Sequence, residues 1–184
     1  MLRDERAALI DLLKQRSVRS GDFVLASGER SSWYIDCRLS TMSAVGLALI
    51  GSLGLTAILE AGWNPTAVGG LTMGADPVAY AIARASAGTA STIDAFSVRK
   101  AAKAHGTGRR IEGNFSAGTR VVVIEDVITS GGSAQMAIDA VRNEGGVVLG
   151  VLALVDREAG GRKKIEAGGT DVRILIRATE LGIS

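Results

Sequence analysis

The chain has 184 residues, 47% of them hydrophobic, with 21 Lys and Arg against 19 Asp and Glu. That size and apolar content suffice for one domain with a buried core and fall short of two ordinary domains. Cys37 is the single cysteine, which excludes an intramolecular disulfide and a four-cysteine zinc site and makes a reducing cytoplasm the natural setting.

Leu2 to Arg16 sets Leu2, Leu9, Ile10, Leu12 and Leu13 among charged residues, a spacing that predicts an amphipathic helix. With acids and bases mixed and no apolar h-region, this segment is not a signal peptide. "VLASGERSSWYIDCR" then predicts a turn and a short strand around Trp33 to Cys37. Ser43 to Leu59 is 17 residues without a charge, at the lower edge of a membrane span. It is solitary, studded with Gly and Ser, and followed by an alternating pattern, so a buried or interface helix is the better reading. Its near lack of a polar face points to a partner subunit covering part of it.

Gly62 and Pro65 stop that helix, and strands and helices alternate afterwards. Strands are predicted at Thr66 to Gly70, Ser91 to Val98, Val121 to Ile124, Val147 to Val155 and Val172 to Ile176. Helices are predicted from about Pro77 to Ala87 and from Ser133 to Asn143. The expected fold class is α/β, a single domain over residues 1–184 whose mostly parallel sheet is covered by helices on both faces. Ligands of such sheets sit outside the C-terminal strand ends, which directs attention to the loops after Gly69, Val98, Ile124 and Val155.

"VVVIEDVITSGGSA" joins a strand to a helix through Gly131 and Gly132, which let a ligand approach the backbone. Thr129, Ser130 and Ser133 add hydroxyls, and the helix start adds free N–H groups. An ordinary βα turn with Ser133 as N-cap would use the same residues. Glu125 and Asp126 weigh against that, because two carboxylates beside an anion site are costly unless they face sugar hydroxyls, a metal or a developing cation. The loop is neither a Walker A sequence nor a Gly-x-Gly-x-x-Gly turn. A ribose 5-phosphate has its phosphate and hydroxyls at the right separation.

The net charge of +2 hides a patch: Arg99, Lys100, Lys103, Arg109 and Arg110 surround the only histidine, His105, with no acid among them. A solvated loop, a nucleic-acid patch and a lid over a charged anion all remain open for it. Nucleic acid is weakened by the absence of interleaved aromatics. "GGLTMGADP" is a second Gly-rich turn ahead of a helix, suited to the other end of a substrate that carries phosphate twice. In "VDREAGG", Arg157 follows a buried strand; it is either a surface charge or a fork for a carboxylate.

Together these motifs resemble a known family. "VVVIEDVITSGGSA" is similar to the phosphoribosyl-diphosphate signature of type I phosphoribosyltransferases, and "RKAAKAHGTGRRIEG" to the mobile catalytic loop of the orotate phosphoribosyltransferases. "SGERSSWYID" and "VDREAGG" match as well. The resemblance implies the type I phosphoribosyltransferase fold, with residues 1–40 contributing to a small N-terminal hood over the base site. The implied reaction moves the phosphoribosyl group from its diphosphate to orotate.

The resemblance also implies roles. Glu125 and Asp126 would hold the ribose hydroxyls, and Val127, Ile128, Thr129, Ser130, Gly131, Gly132 and Ser133 would frame the 5-phosphate. Arg99, Lys100, Lys103 and His105 would meet the diphosphate, and Lys103, His105 and Asp126 would act in catalysis. Thr129 and Arg157 would hold orotate. Mg2+ would arrive on the diphosphate with no direct protein ligand, and a homodimer would share loop residues between sites. Neither a nucleic acid nor a membrane is an expected partner. Some members have a lysine where Ala26 stands, so no role passes to Ala26. Transfer to another base, and a non-catalytic regulator that keeps the pocket, are the competing readings.

Overall fold

The apolar runs of the sequence form the centre of the computed structural model, which describes residues 2–24, 30–101 and 110–183. α1 (Leu2–Arg16) packs Leu9 and Leu13 inward, and β1 (Val18–Val24) pairs antiparallel with β2 (Arg30–Ile35) in a separate two-stranded sheet. A short α2 (Arg38–Thr41) leads to α3 (Ala44–Glu60), which is capped by Ser43 Oγ accepting the Gly46 N–H at 3.1 Å. β3 (Ala67–Leu71), α4 (Ala75–Ser86), β4 (Asp94–Val98) and β5 (Ile111–Gly113) follow. β6 (Arg120–Ile128), α5 (Gly132–Asn143), β7 (Val147–Asp156), α6 (Gly161–Ala167) and β8 (Val172–Arg177) complete the order, with a 3-10 turn over Ala178–Leu181.

Six strands form the main sheet in the order β5-β4-β3-β6-β7-β8, and only the β4–β5 pair is antiparallel. Side chains alternate across it. Val122 and Ile124 of β6 join one core with Ile50, Ile58 and Ile82, while Val121 and Val123 join the other with Ile138, Val141 and Ile165. Both faces are therefore covered, as continuous apolar strands require. α3 packs on α4, and Gly51 and Gly54 let it come close: a methyl on Gly51 would lie 2.6 Å from the Ala81 carbonyl oxygen. No described helix is long and apolar enough to cross a membrane.

The fold departs from several predicted boundaries. β6 runs to Ile128 instead of stopping at Ile124, because Glu125, Val127 and Ile128 continue the ladder with Ala153, Val155 and Asp156 of β7. The two acids are thus strand residues. α4 begins at Ala75, with Pro77 inside the first turn, where its missing N–H has no helical partner to lose. β4 begins at Asp94; Ser91 and Thr92 stay exposed outside the ladder.

Candidate active site

Parallel pairing brings the C-terminal ends of β3, β4, β6 and β7 to one edge of the sheet, where they open on a cleft of about 1420 Å³. Lys100, Glu125, Asp126, Val127, Thr129, Ser130, Ser133 and Arg157 all line it. The cleft thus gathers the anion loop, the acid pair, the root of the basic loop and the strand-end arginine. Of the other predicted residues, Arg99, Gly131 and Gly132 flank the cleft without lining it, and the Ile128 side chain is buried at 1% exposure in the core under α5. Lys103, His105 and Ala26 lie outside the described residues.

The anion loop takes its shape from Gly131. Its φ of 78° is left-handed, a conformation that favours glycine, and it occupies the N-cap of α5 without any side-chain cap. The alternative of Ser133 as N-cap does not form, since Ser133 lies inside the first turn. The helix start therefore keeps N–H groups with no side-chain partner, aimed where an anion would sit. Gly161 N–H donates to the Thr129 carbonyl at 3.1 Å and fixes the loop from α6. A methyl on Gly131 would lie 2.9 Å from the Gly161 carbonyl oxygen.

Glu125 is buried, and burial, then the charge of Asp126, pushes its carboxyl well above the usual range. Burial raises Asp126 too. The Val127 N–H, donating to Oδ1 at 2.9 Å, the Glu125 side chain and the Arg38 charge offset part of that, so Asp126 is the stronger acid of the pair. Arg38 is itself held by Asp36, with Nε–Oδ1 at 2.8 Å and Nη2–Oδ2 at 2.9 Å. Burial and, for Glu125, the neighbouring Asp126 charge thus act against full ionisation of the pair.

The second Gly-rich turn reaches the acids directly: a methyl on Gly74 would lie 2.6 Å from the Asp126 carboxylate. In β3, Gly69 and Gly70 face the Phe96 and Ile124 carbonyls, where a side chain would collide. Asp76, at the start of α4, accepts the Ser97 hydroxyl at 2.7 Å. The root of the basic loop is also tied: Arg99 N–H donates to the Arg110 carbonyl at 2.8 Å, and the Arg99 guanidinium meets Glu112 at 3.1 Å.

Arg157 follows β7, and its backbone N–H donates to the Ile128 carbonyl at 2.9 Å. Its guanidinium carbon stands 4.2 Å from the centroid of the Trp33 ring, which the two-stranded sheet supplies from β2. Trp33, Asp36, Arg38 and Asp76 are site residues to which the sequence reasoning assigned no role. For Trp33 and Asp36 the signal was their place inside "SGERSSWYID"; for Arg38 nothing short of the fold brings its charge to Asp126. Among the described residues, no group of three or more His, Cys, Asp and Glu could hold a metal ion.

A phosphoribosyl transferase domain model matches residues 46–174. The orotate phosphoribosyltransferase of Streptomyces avermitilis is 46% identical over 183 residues, 98% of each chain, and that of Aquifex aeolicus is 46% identical over 98% of this chain and 100% of its own. Among solved structures, the Mycobacterium tuberculosis H37Rv orotate phosphoribosyltransferase in complex with 5-phospho-alpha-D-ribosyl 1-diphosphate superposes with a TM-score of 0.81. It is 41% identical, with 97% of this chain and 99% of that chain covered.

Proposed function

The chain belongs to the orotate phosphoribosyltransferases, within the phosphoribosyltransferase family, and from that membership and the cleft we infer that it transfers the 5-phosphoribosyl group of phosphoribosyl diphosphate to orotate. The products are orotidine 5'-monophosphate and diphosphate, in the making of pyrimidine nucleotides. One observation carries the reading: charge is sorted along residues 125–133, with carboxylates on the strand and uncapped N–H groups at the helix start.

The 5-phosphate sits on the start of α5 and the hydroxyls of Thr129, Ser130 and Ser133. The sugar hydroxyls face Glu125 and Asp126. As the bond from C1 to the diphosphate oxygen breaks and the bond from C1 to the ring nitrogen forms, C1 gains cationic character, which the Asp126 carboxylate stabilises. Arg99 and Lys100, with Lys103 and His105 beyond them, meet the diphosphate and exclude water. Arg157 receives the orotate carboxylate with its planar fork, beside Thr129. Residues 1–40 contribute to the hood over the base site.

Magnesium belongs to the same proposal, and the residues present suit an ion carried in by the substrate: the two acids of β6 face the sugar, and no described cluster forms a cage. When bound, it supplies charge neutralisation to the departing diphosphate. A homodimer in a cytoplasmic setting completes the reading, with part of the basic loop serving the neighbouring site.

The test is loss of orotate, followed by its ultraviolet absorbance, with phosphoribosyl diphosphate and magnesium, beside uracil, hypoxanthine and adenine. Turnover confined to orotate supports the proposal; turnover of another base alone, or of none, refutes it.

A further inference from the structure

Resting on the proposed orotate reaction, we propose that Trp33 and Glu158 are positioning residues for Arg157, and that the discrimination for a carboxylated base depends on the orientation they impose. The Arg157 guanidinium carbon lies over the ring of Trp33, a residue only 8% exposed, at 4.2 Å from the ring centroid. The ring face limits where the guanidinium can lie in the cleft that both residues line. Arg157 Nε is buried without a hydrogen-bond partner among the described residues, a donor left unused in the ligand-free fold. Arg157 is therefore held by its contact with the Trp33 ring and by its backbone, with its Nε donor left for a ligand.

The backbone support is specific. Asp156 Oδ1 accepts the Glu158 N–H at 2.8 Å, which closes a turn around Arg157. Glu158 has a φ of 59°, the only left-handed non-glycine among the described residues. Such a residue persists where its surroundings over-determine it, and here its Oε2 accepts the Thr179 N–H at 3.0 Å from the 3-10 turn after β8. With the Arg157 N–H on Ile128, the turn is pinned on both sides of the arginine. Trp33 thus supports the guanidinium of the fork, and Glu158 fixes its root.

The experiment is a double-mutant cycle on the full chain, reading KM for orotate, KM for phosphoribosyl diphosphate and kcat. Trp33→Ala is expected to raise the orotate KM roughly tenfold, while kcat and the other KM move less than about threefold. Trp33→Phe restores most of the loss because it keeps a ring. In an Arg157→Ala background, Trp33→Ala should add nothing further. Glu158→Gln, which keeps the acceptor for Thr179, should resemble the parent, whereas Glu158→Gly, which relaxes the backbone and removes the acceptor, should raise the orotate KM several-fold.

If Trp33→Ala raises the orotate KM by the same factor with and without Arg157, the ring acts on the base itself and the inference falls. If Trp33→Ala does not fold, the Glu158 pair decides: equal orotate KM in Gln and Gly variants overturns it. If Arg157→Ala alone leaves orotate KM unchanged, the assignment of Arg157 to the carboxylate fails, and this inference falls with it.

Discussion

Gly74 and Asp126 meet so closely that a methyl group on the glycine would lie 2.6 Å from the carboxylate. The second Gly-rich turn and the acid pair, 52 residues apart in sequence, are therefore one surface. Gly74 has an α-helical φ of −65°, so alanine suits its backbone, and the three atoms nearest its methyl would all belong to the Asp126 carboxylate. Gly74→Ala should displace Asp126 and lower kcat roughly 10- to 100-fold, with little change in thermal midpoint. Steady-state kinetics beside thermal unfolding checks this; full activity would mean that Asp126 does not work from its position against this turn.

The acid pair also sets a pH dependence. A carboxyl whose folded-state pKa is raised favours the folded state while protonated. Its contribution is full below the unfolded value, about 4.3 for glutamate, and is lost as pH rises through the higher folded value. Burial places Glu125 in that class, with Asp126 adding to it. Glu125→Gln should therefore stabilise the ligand-free protein at pH 8 and not at pH 4, each kcal/mol reading as roughly 2–4 °C in the midpoint. Equal midpoint shifts at the two pH values would contradict the raised pKa.

Metal removal separates a carried ion from a resident one. Chelation should abolish turnover and added magnesium should restore it. The ligand-free protein should keep its thermal midpoint with or without magnesium, because the described residues offer no cage. Phosphoribosyl diphosphate with magnesium at a hundred times Kd should stabilise it by about 2.7 kcal/mol. A midpoint that rises with magnesium alone would point to a protein-held ion.

The parallel strands and the long helices were legible because their signals are local. α1 spans Leu2–Arg16 as its periodicity predicts, and the uncharged run from Ser43 becomes α3 with Ser43 as its cap. β1 was missed, since its exposed residues show no alternation; it exists by pairing with β2. β5 has three residues and exists by pairing with β4. The short helices α2 and α6 were missed as well.

In the site, the loop chemistry of 129–133 and the strand-end place of Arg157 could be read from residue types and spacing. Three relationships could not. The stacking of Trp33 on Arg157 spans 124 residues, the approach of Gly74 to Asp126 depends on β3 lying beside β6, and the Arg38 charge reaches Asp126 only across the cleft. Each is a product of the tertiary fold, which no local pattern encodes.

Orotate and uracil differ by one carboxylate, so their relative kcat/KM, in the parent and in Arg157→Ala, tests the central claim most directly. The expected result is a preference for orotate of about 10⁴ or more in the parent, as for a site that hydrogen-bonds a group its rival lacks, falling by roughly 10²-fold in the variant. A parent that uses uracil as well as orotate, or a variant that keeps the full preference, would contradict it.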